Sequence, residues 1–316
     1  MERNSPGPLI RGTAACALLP ILIWSLALLG LAVSSPQADP FQVALLLKSA
    51  RQYSRHLESA ALDFVCTEHV EETVEPFPKG NRSPASLVPQ DLEINPVSSR
   101  PGGMTLRHSL EVRARAENRY VFDYQFTRES GGLKERRILL TKNGKKLKRR
   151  ETPPETMAFK YKDILLAPVE LLDEKHAASY TYRISAECAQ SDSGRSTEVI
   201  EAVPSPDAFP PRLGGRIILR REDSSVLRID WDPTTFDNYD VILARAMLLD
   251  ADPRVTSYTE YGFEKNGLRF PSVDFTEEAY VLKGGKTFVR ARTRIEYKDY
   301  KFFTVETRSE LKKGGE

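Results

Sequence analysis

The chain has 316 residues, of which 40% are hydrophobic and 28% are charged, and 46 Lys and Arg against 44 Asp and Glu leave a formal net charge of +2. Such a balance gives no reason to expect attraction to nucleic acid or to an anionic membrane surface. The four histidines are scattered and form no HExxH motif, and no CxxC spacing exists, so the sequence predicts no metal site.

The first 38 residues are predicted to direct export. Arg3 and Arg11 precede an uncharged apolar run at residues 14–33, and small, turn-prone residues follow it. This layout is typical of a signal peptide, but the run also approaches the roughly 20 residues that cross a bilayer as a helix. Two outcomes therefore stay open: cleavage, or retention as an N-terminal membrane anchor in which residues 14–33 contact the membrane. Either outcome places the rest of the chain outside the cytosol.

The chain after the leader is predicted to begin with one helix. Residues 41–60 carry apolar side chains at helical spacing with no proline, and a strand-like run at residues 62–74 follows. Residues 76–103 then hold six prolines among Ser, Asn and Gly. Because this composition neither packs nor pairs well, we expect a long loop or lid to be inserted there.

From residue 106 onward the pattern is almost wholly β. Turn-forming segments separate strand-like runs at residues 119–128, 133–141, 180–189, 196–203, 216–221, 226–231, 254–264, 268–276, 287–297 and 300–308. Helical intervals interrupt these runs at residues 161–175, where Pro168 divides the pattern into two short turns, and at residues 239–248. Consecutive strands with short turns pair antiparallel, so about nine or ten of them predict a mainly β fold.

We therefore expect one domain at residues 39–311, followed by a flexible tail at residues 312–316. Its sheet is expected to be antiparallel and strongly curved, or to close partway into a half-open β-barrel. The N-terminal helix and the short helices would then pack on the concave face of that sheet.

One predicted strand carries an aromatic stripe. Tyr120, Phe122, Tyr124 and Phe126 alternate with other side chains, so all four share one face of the strand. Such a stripe fits core packing against a helix, and it also fits one wall of a hydrophobic ligand cavity. The pattern leaves both interpretations open.

Three arginines repeat the same spacing near the C-terminus. Arg290, Arg292 and Arg294 alternate with apolar residues and a threonine, and they would share one face of a strand. On the outer face of the sheet they would be solvated. If they faced inward instead, they could hold a carboxylate or phosphate headgroup.

Two cysteines follow the leader, and both lie within strand-like runs. Outside the cytosol Cys66 and Cys188 can pair, and we expect them to form a disulfide that closes a long loop. The alternative is two separately buried thiols, since spacing alone does not show that they meet.

Three stretches resemble the LolA-like family of envelope lipoprotein carriers. They are the helix that runs straight into a strand at residues 41–70, the hairpin GRIILRREDSSVLRIDWD at residues 215–232, and the sequence YTEYGFEKNGLRFPSVDF at residues 258–275. The resemblance is strongest in the last third of the chain. It implies a half-open antiparallel barrel in the bacterial periplasm whose concave face is plugged by helices and holds acyl chains. It also implies that a lipid or an acylated lipoprotein is the partner.

The sequence shows no reaction chemistry. No GxSxG motif supplies a hydrolase nucleophile, and Tyr280 replaces the first glycine that a phosphate-binding loop ending at Lys286 would need. His69 and its acidic neighbours at positions 68, 71 and 72 alternate faces of a strand, so a solvated strand edge is expected there. We predict a cofactor-free protein that is not an enzyme. The alternative to a carrier is a non-catalytic interaction module with a closed core that docks another envelope protein.

Overall fold

A computed structural model describes most of the chain between residues 40 and 303. The described residues are 40–59, 63–78, 104–106, 114–129, 132–151, 156–161, 164–185, 196–208, 211–237 and 239–303. The predicted leader, nearly all of the proline-rich insertion and the predicted tail lie outside them.

Three α-helices and fifteen strands occur among these residues. The helices are α1 (Pro40–Ser59), α2 (Ala167–Leu172) and α3 (Tyr239–Leu249), and short 3₁₀ helices lie at Ile164–Leu166, Glu174–Ser179 and Pro233–Thr235. The strands are β1 (Asp63–Val74), β2 (Met104–Leu106), β3 (Ala116–Glu129), β4 (Gly132–Lys142), β5 (Lys145–Glu151), β6 (Phe159–Tyr161), β7 (Tyr180–Ile184), β8 (Thr197–Pro204), β9 (Gly215–Arg220), β10 (Val226–Trp231), β11 (Ala251–Glu260), β12 (Phe263–Lys265), β13 (Leu268–Phe270), β14 (Val273–Leu282) and β15 (Thr287–Phe303).

Eleven of these strands form one antiparallel sheet in the order β5-β4-β3-β1-β15-β14-β11-β10-β9-β8-β7. The terminal strands β5 and β7 do not pair with each other, so the sheet curves without closing. This confirms the predicted mainly β fold with an open, curved antiparallel sheet. The remaining strands form two separate pairs, β12–β13 and β2–β6.

Strict alternation gives the sheet one buried face, which we call the inner face. On β1 it carries Phe64, Val70 and Val74, and the strand pairing continues it through Ile295 on β15 to Asp274 on β14. The predicted strands at 287–297 and 300–308 prove to be one strand, β15, which continues through a bulge. At that bulge the register against β1 shifts between Val65 and Thr67.

Helix α1 covers part of the inner face because its apolar residues recur at helical spacing. Leu46, Leu47, Ala50, Tyr53 and Leu57 are buried in a core shared with α2, α3 and the sheet. Each buried leucine of this kind contributes roughly 1.5–3 kcal/mol.

Polar contacts fix the position of α1 on the core. Ser54 Oγ and Arg51 Nε donate to the carbonyl oxygens of Pro168 and Leu172 at 3.4 and 3.2 Å, which ties α1 to α2. At the other side of the helix, the Arg269 backbone N–H donates to the Tyr53 hydroxyl at 3.0 Å. The predicted N-terminal helix therefore packs on the inner face of the sheet.

Candidate functional site

The aromatic stripe lies on the inner face and is buried. Tyr120, Phe122, Tyr124 and Phe126 are each no more than 3% exposed. The Phe126 ring stacks on the Phe64 ring of β1 at a centroid distance of 5.5 Å, and the Tyr120 and Phe122 rings lie 6.2 Å apart. These contacts make the stripe part of the core. A ligand-contacting role for the four residues stays a prediction.

A cluster of aromatic side chains lies at one end of the inner face. Phe263 of β12 stacks on Tyr300 and Phe302 of β15 at 4.7 and 5.9 Å, and Phe270 of β13 meets Phe302 edge-on at 5.0 Å. The Phe64 ring lies 5.2 Å from the Tyr300 ring and 5.8 Å from the Phe302 ring. We call Phe64, Phe126, Phe263, Phe270, Tyr300 and Phe302 the aromatic end cluster.

The aromatic end cluster passes from core to surface. Phe64, Phe126 and Phe270 are fully buried, whereas Phe263, Tyr300 and Phe302 are only partly buried. A continuous aromatic surface therefore leads from solvent into the inner face.

The sequence analysis did not predict this cluster, because the bulge in β15 changes which residues of the strand face inward. Asp299 adopts a positive φ of 57°, and Asp299 and Tyr300 together face Cys66 of β1. The extra residue turns Tyr300 and Phe302 to the same face as Tyr297. An Asp that tolerates positive φ was the one local signal of this switch in the sequence.

The predicted shared face of the three arginines is wrong. A second bulge on β15 lies opposite Glu278 and Ala279, and it turns Arg290 inward, where 2% of the residue is exposed. Arg292 stays on the outer face with its Nε 2.8 Å from Glu277 Oε2, and Arg294 Nε lies 3.0 Å from Glu296 Oε1.

Around Arg290 lies a buried group of charged and aromatic side chains. Arg245 of α3 donates from Nη1 to both Glu278 carboxylate oxygens at 3.1 and 3.2 Å, and the Tyr280 hydroxyl also donates to Glu278. The Phe77 ring lies 4.7 Å from the Arg290 guanidinium carbon and 5.9 Å from that of Arg245. We call these five residues the arginine cluster. Burial is the main cause that lowers the pKa of Arg290.

A second charged network lies on the inner face between the aromatic end cluster and the arginine cluster. Glu68 accepts two hydrogen bonds from Arg137 at 2.8 and 3.2 Å, and Arg137 also donates to Glu135 at 2.9 Å. The Tyr124 hydroxyl donates to Glu135 at 2.8 Å. Burial raises the pKa of Glu68.

The prediction of a solvated strand edge around His69 is wrong for Glu68 and Glu72, because both carboxylates are buried. Because β1 lies near the middle of the sheet, between β3 and β15, its inward carboxylates are enclosed. Glu72 accepts hydrogen bonds from the backbone N–H groups of Met157 and Ala158 instead of water.

The predicted pairing of Cys66 with Cys188 does not occur in the part of the chain that the structure describes. Cys66 is a buried free thiol on the inner face, and burial raises its pKa above the ordinary range. Cys188 lies outside the described residues.

A cavity of about 30 Å³ lies between α1 and the segment that contains α2. It is lined mainly by charged side chains, among them Arg51, Arg55 and Glu174, and it is far smaller than the roughly 300–1,000 Å³ of a typical ligand site. In the described part of the chain no group of three or more His, Cys, Asp or Glu could hold a metal ion. No helix there is both long and apolar enough to span a membrane.

No protein-family model matches the chain, and no curated protein matches it. Among solved structures, a DUF1329 family protein from Desulfovibrio piger is 9% identical, with 83% of this chain and 94% of that chain covered and a TM-score of 0.36. MucB is 12% identical, with 87% of this chain and 63% of that chain covered and a TM-score of 0.23. Both TM-scores are low, so these similarities establish no function for this chain.

Proposed function

We propose that this protein is an exported envelope protein, not an enzyme, that binds the acyl chain of a lipid or of an acylated lipoprotein at the aromatic end cluster. The predicted leader supports export, and the open, curved sheet is the architecture that the resemblance to lipoprotein carriers implies. The observation that carries the proposal is the partly buried stack of Phe263, Tyr300 and Phe302 beside fully buried rings.

An acyl chain laid on these rings would remove apolar surface from water on both partners. The rest of the inner face offers less room for a ligand, because the aromatic stripe is packed in the core and the Glu68–Arg137 ion pair is also buried there. The acyl chain is therefore expected to insert beside β12 and β13 rather than along the whole sheet.

The test uses delipidated protein that begins at residue 39 and a fluorescent fatty acid as probe. We expect the unmodified protein to bind the probe and Phe302→Ser to weaken binding at least tenfold. The matched control is Phe275→Ser, because Phe275 stacks on Tyr258 at 5.2 Å, is only partly buried and lies on the outer face of the same sheet. Circular dichroism verifies that both variants fold.

Two outcomes contradict the proposal: no binding by the unmodified protein, or equal weakening by the two substitutions. Chain length gives a second measurement. Each buried methylene contributes about 0.8 kcal/mol, so affinity should rise steeply from 8-carbon to longer probes and then level off once the chain outgrows the cluster. A rise that continues without levelling would place the acyl chain elsewhere.

A second candidate function is docking of another envelope protein. The observation that favours it is the outer side of α3, where Leu243 and Met247 lie one turn apart and are 44% and 82% exposed. A photo-crosslinking residue at position 247 should then yield one adduct of defined mass in intact cells, whereas the same residue at exposed Asp207 should yield none. Equal labelling at both positions would contradict docking through α3.

A further inference from the structure

The hairpin of β4 and β5 concentrates positive charge at one edge of the main sheet. Five of the seven residues of β5 are basic, in the sequence KKLKRRE. The one carboxylate of this strand, on Glu151, binds Arg136 of β4, with Arg136 Nη2 2.8 Å from Glu151 Oε2. The overall net charge of +2 therefore conceals a local excess of positive charge. We call residues 142–148 the lysine hairpin.

The turn of the lysine hairpin holds two lysines side by side. Asn143 and Gly144 adopt positive φ angles of 50° and 77°, as a two-residue turn of type I′ requires. Lys142 and Lys145 are therefore directly opposite each other. The turn is fixed to β3, because the Asn143 backbone N–H donates to the Arg119 carbonyl and the Asn143 Oδ1 atom accepts from the Arg119 N–H, each at 2.7 Å. Like charges in directly opposite positions weaken strand pairing, so this arrangement lowers the stability of the hairpin.

The exposed lysines of β5 differ from the outward cations at the centre of the sheet. Arg292 of β15, for example, pairs with Glu277 on the neighbouring strand. Lys145, Lys146 and Lys148 are exposed, and none of them forms an ion pair within the part of the chain that the structure describes. Their charges are thus available to an anionic partner.

The position of the lysine hairpin favours a membrane surface as that partner. Strand β5 is a terminal strand of the main sheet, and its register against β4 shifts between Leu139 and Thr141. Lysines and bulges on an edge strand hinder the addition of a further strand, so an acidic peptide that pairs through its backbone fits poorly here. Leu147 lies among the lysines and is 40% exposed. A bilayer with anionic headgroups suits both features, because it presents negative charge above an apolar layer.

We propose that the lysine hairpin binds the anionic headgroups of a phospholipid bilayer. Each lysine close to such a surface strengthens binding about fivefold, so the three exposed lysines of β5 together supply roughly 100-fold. The attraction extends only about 8 Å at physiological ionic strength, so β5 itself must meet the surface. The proposal does not depend on acyl binding, because no residue of the lysine hairpin belongs to the aromatic end cluster.

The test measures co-sedimentation of the protein that begins at residue 39 with phosphatidylcholine vesicles that contain or lack phosphatidylglycerol. We expect binding only to the vesicles with phosphatidylglycerol, and we expect Lys145→Gln combined with Lys146→Gln to weaken it roughly 25-fold. The matched control combines Lys283→Gln with Lys286→Gln, which removes the same charge from the exposed turn between β14 and β15 and should leave binding nearly unchanged. Circular dichroism verifies that both double variants fold.

A second probe, poly-L-glutamate at the same total negative charge, distinguishes a lipid surface from an acidic protein. Tighter binding to the vesicles than to the polymer supports headgroup contact, whereas equal or tighter binding to the polymer overturns it. The proposal also fails if vesicles with phosphatidylglycerol do not bind the unmodified protein, or if the two double variants weaken binding equally.

A single substitution keeps the test decisive if the first double variant does not fold. Lys148→Gln should weaken vesicle binding about fivefold, and an unchanged affinity would overturn the proposal. Binding of the fluorescent fatty acid is measured in parallel with the same proteins. Because the lysine variants should bind that probe as the unmodified protein does, failure of vesicle binding leaves the proposed function intact, and the reverse also holds.

Discussion

Asp274 is expected to make the protein less stable as the pH rises. Its side chain is buried on the inner face of β14, where the Thr259 hydroxyl donates to it at 2.6 Å. Trp231 Nε1 in turn donates to Thr259 Oγ1 at 3.0 Å. Burial, with a smaller contribution from the Glu68 carboxylate, raises the pKa of Asp274 from 3.8 to about 7, and the Thr259 hydrogen bond only partly opposes this.

The sign and size of the effect follow from that pKa. The folded state binds the proton more tightly than the unfolded state, so the stabilisation is fully present below about pH 4 and is lost as the pH rises through about 7. A difference of roughly three pKa units corresponds to about 4 kcal/mol in total, of which somewhat more than half is lost between pH 5 and pH 8. Asp274→Asn cannot titrate and should lack this loss.

The assay is urea unfolding at a series of pH values, followed by fluorescence of Trp231, which is the one tryptophan outside the predicted leader. The free energy of unfolding of Asp274→Asn should fall by about 2–3 kcal/mol less between pH 5 and pH 8 than that of the unmodified protein. Asp207→Asn, at an exposed position after β8, is the control and should follow the unmodified protein. Parallel curves for the unmodified protein and Asp274→Asn would refute the reasoning, whatever the absolute stability of the variant.

Three further predictions concern the core. Arg137→Met should destabilise the protein by about 3–5 kcal/mol because it leaves the buried Glu68 carboxylate without its cation, Glu68→Gln should cost less because Arg137 keeps its ion pair with Glu135, and the double variant should lose less than the sum in the same urea assay. Gly215→Ala should lower the melting temperature, because its Cβ would lie 2.6 Å from the Asp230 carbonyl oxygen on β10; an unchanged melting temperature would contradict this close packing. Cys66 should react with a maleimide only after unfolding, since its thiol is buried and has a raised pKa; rapid labelling of native protein, measured by mass spectrometry, would show that the inner face opens.

The alternation of inward and outward residues in the sequence correctly predicted which side chains are buried at the centre of the sheet, because the paired strands there alternate in step with each other. The stripe from Tyr120 to Phe126 is one example, since each inward residue opposes an inward residue of β1 in an unbroken register. The sequence could not predict where β15 gains an extra residue, because a bulge depends on the partner strand as much as on its own residues. Both errors about β15, the placement of Arg290 and the break before Tyr300, have this origin.

The long hairpin predicted at residues 254–264 and 268–276 failed for a different reason. The main sheet continues through β11 and β14 only to the pair of Glu260 and Val273, and the turn beyond it forms the separate pair β12–β13. Gly262 and Pro271 lie at the two breaks, and neither residue favours a continuous strand. This departure places Phe263 and Phe270 in the aromatic end cluster.

Buried carboxylates were the feature least visible in the sequence. Glu68 and Glu72 occupy inward positions that alternation alone would assign to apolar residues, and their partners come from distant parts of the chain. Arg137 lies two strands away on β4, and Met157 lies outside the main sheet. Pairing between such distant residues depends on the tertiary fold, so no local sequence pattern predicts it.

The distribution of charge divides the inner face into three parts, and this division constrains what the protein can bind. The aromatic end cluster is apolar, the Glu68–Arg137–Glu135 network occupies the middle, and the arginine cluster occupies the other end. A ligand that ran along the whole face would have to separate buried ion pairs, at a cost of several kcal/mol for each pair left incomplete. One short apolar site at the aromatic end cluster therefore fits this sheet better than one long acyl cavity that runs past the buried ion pairs.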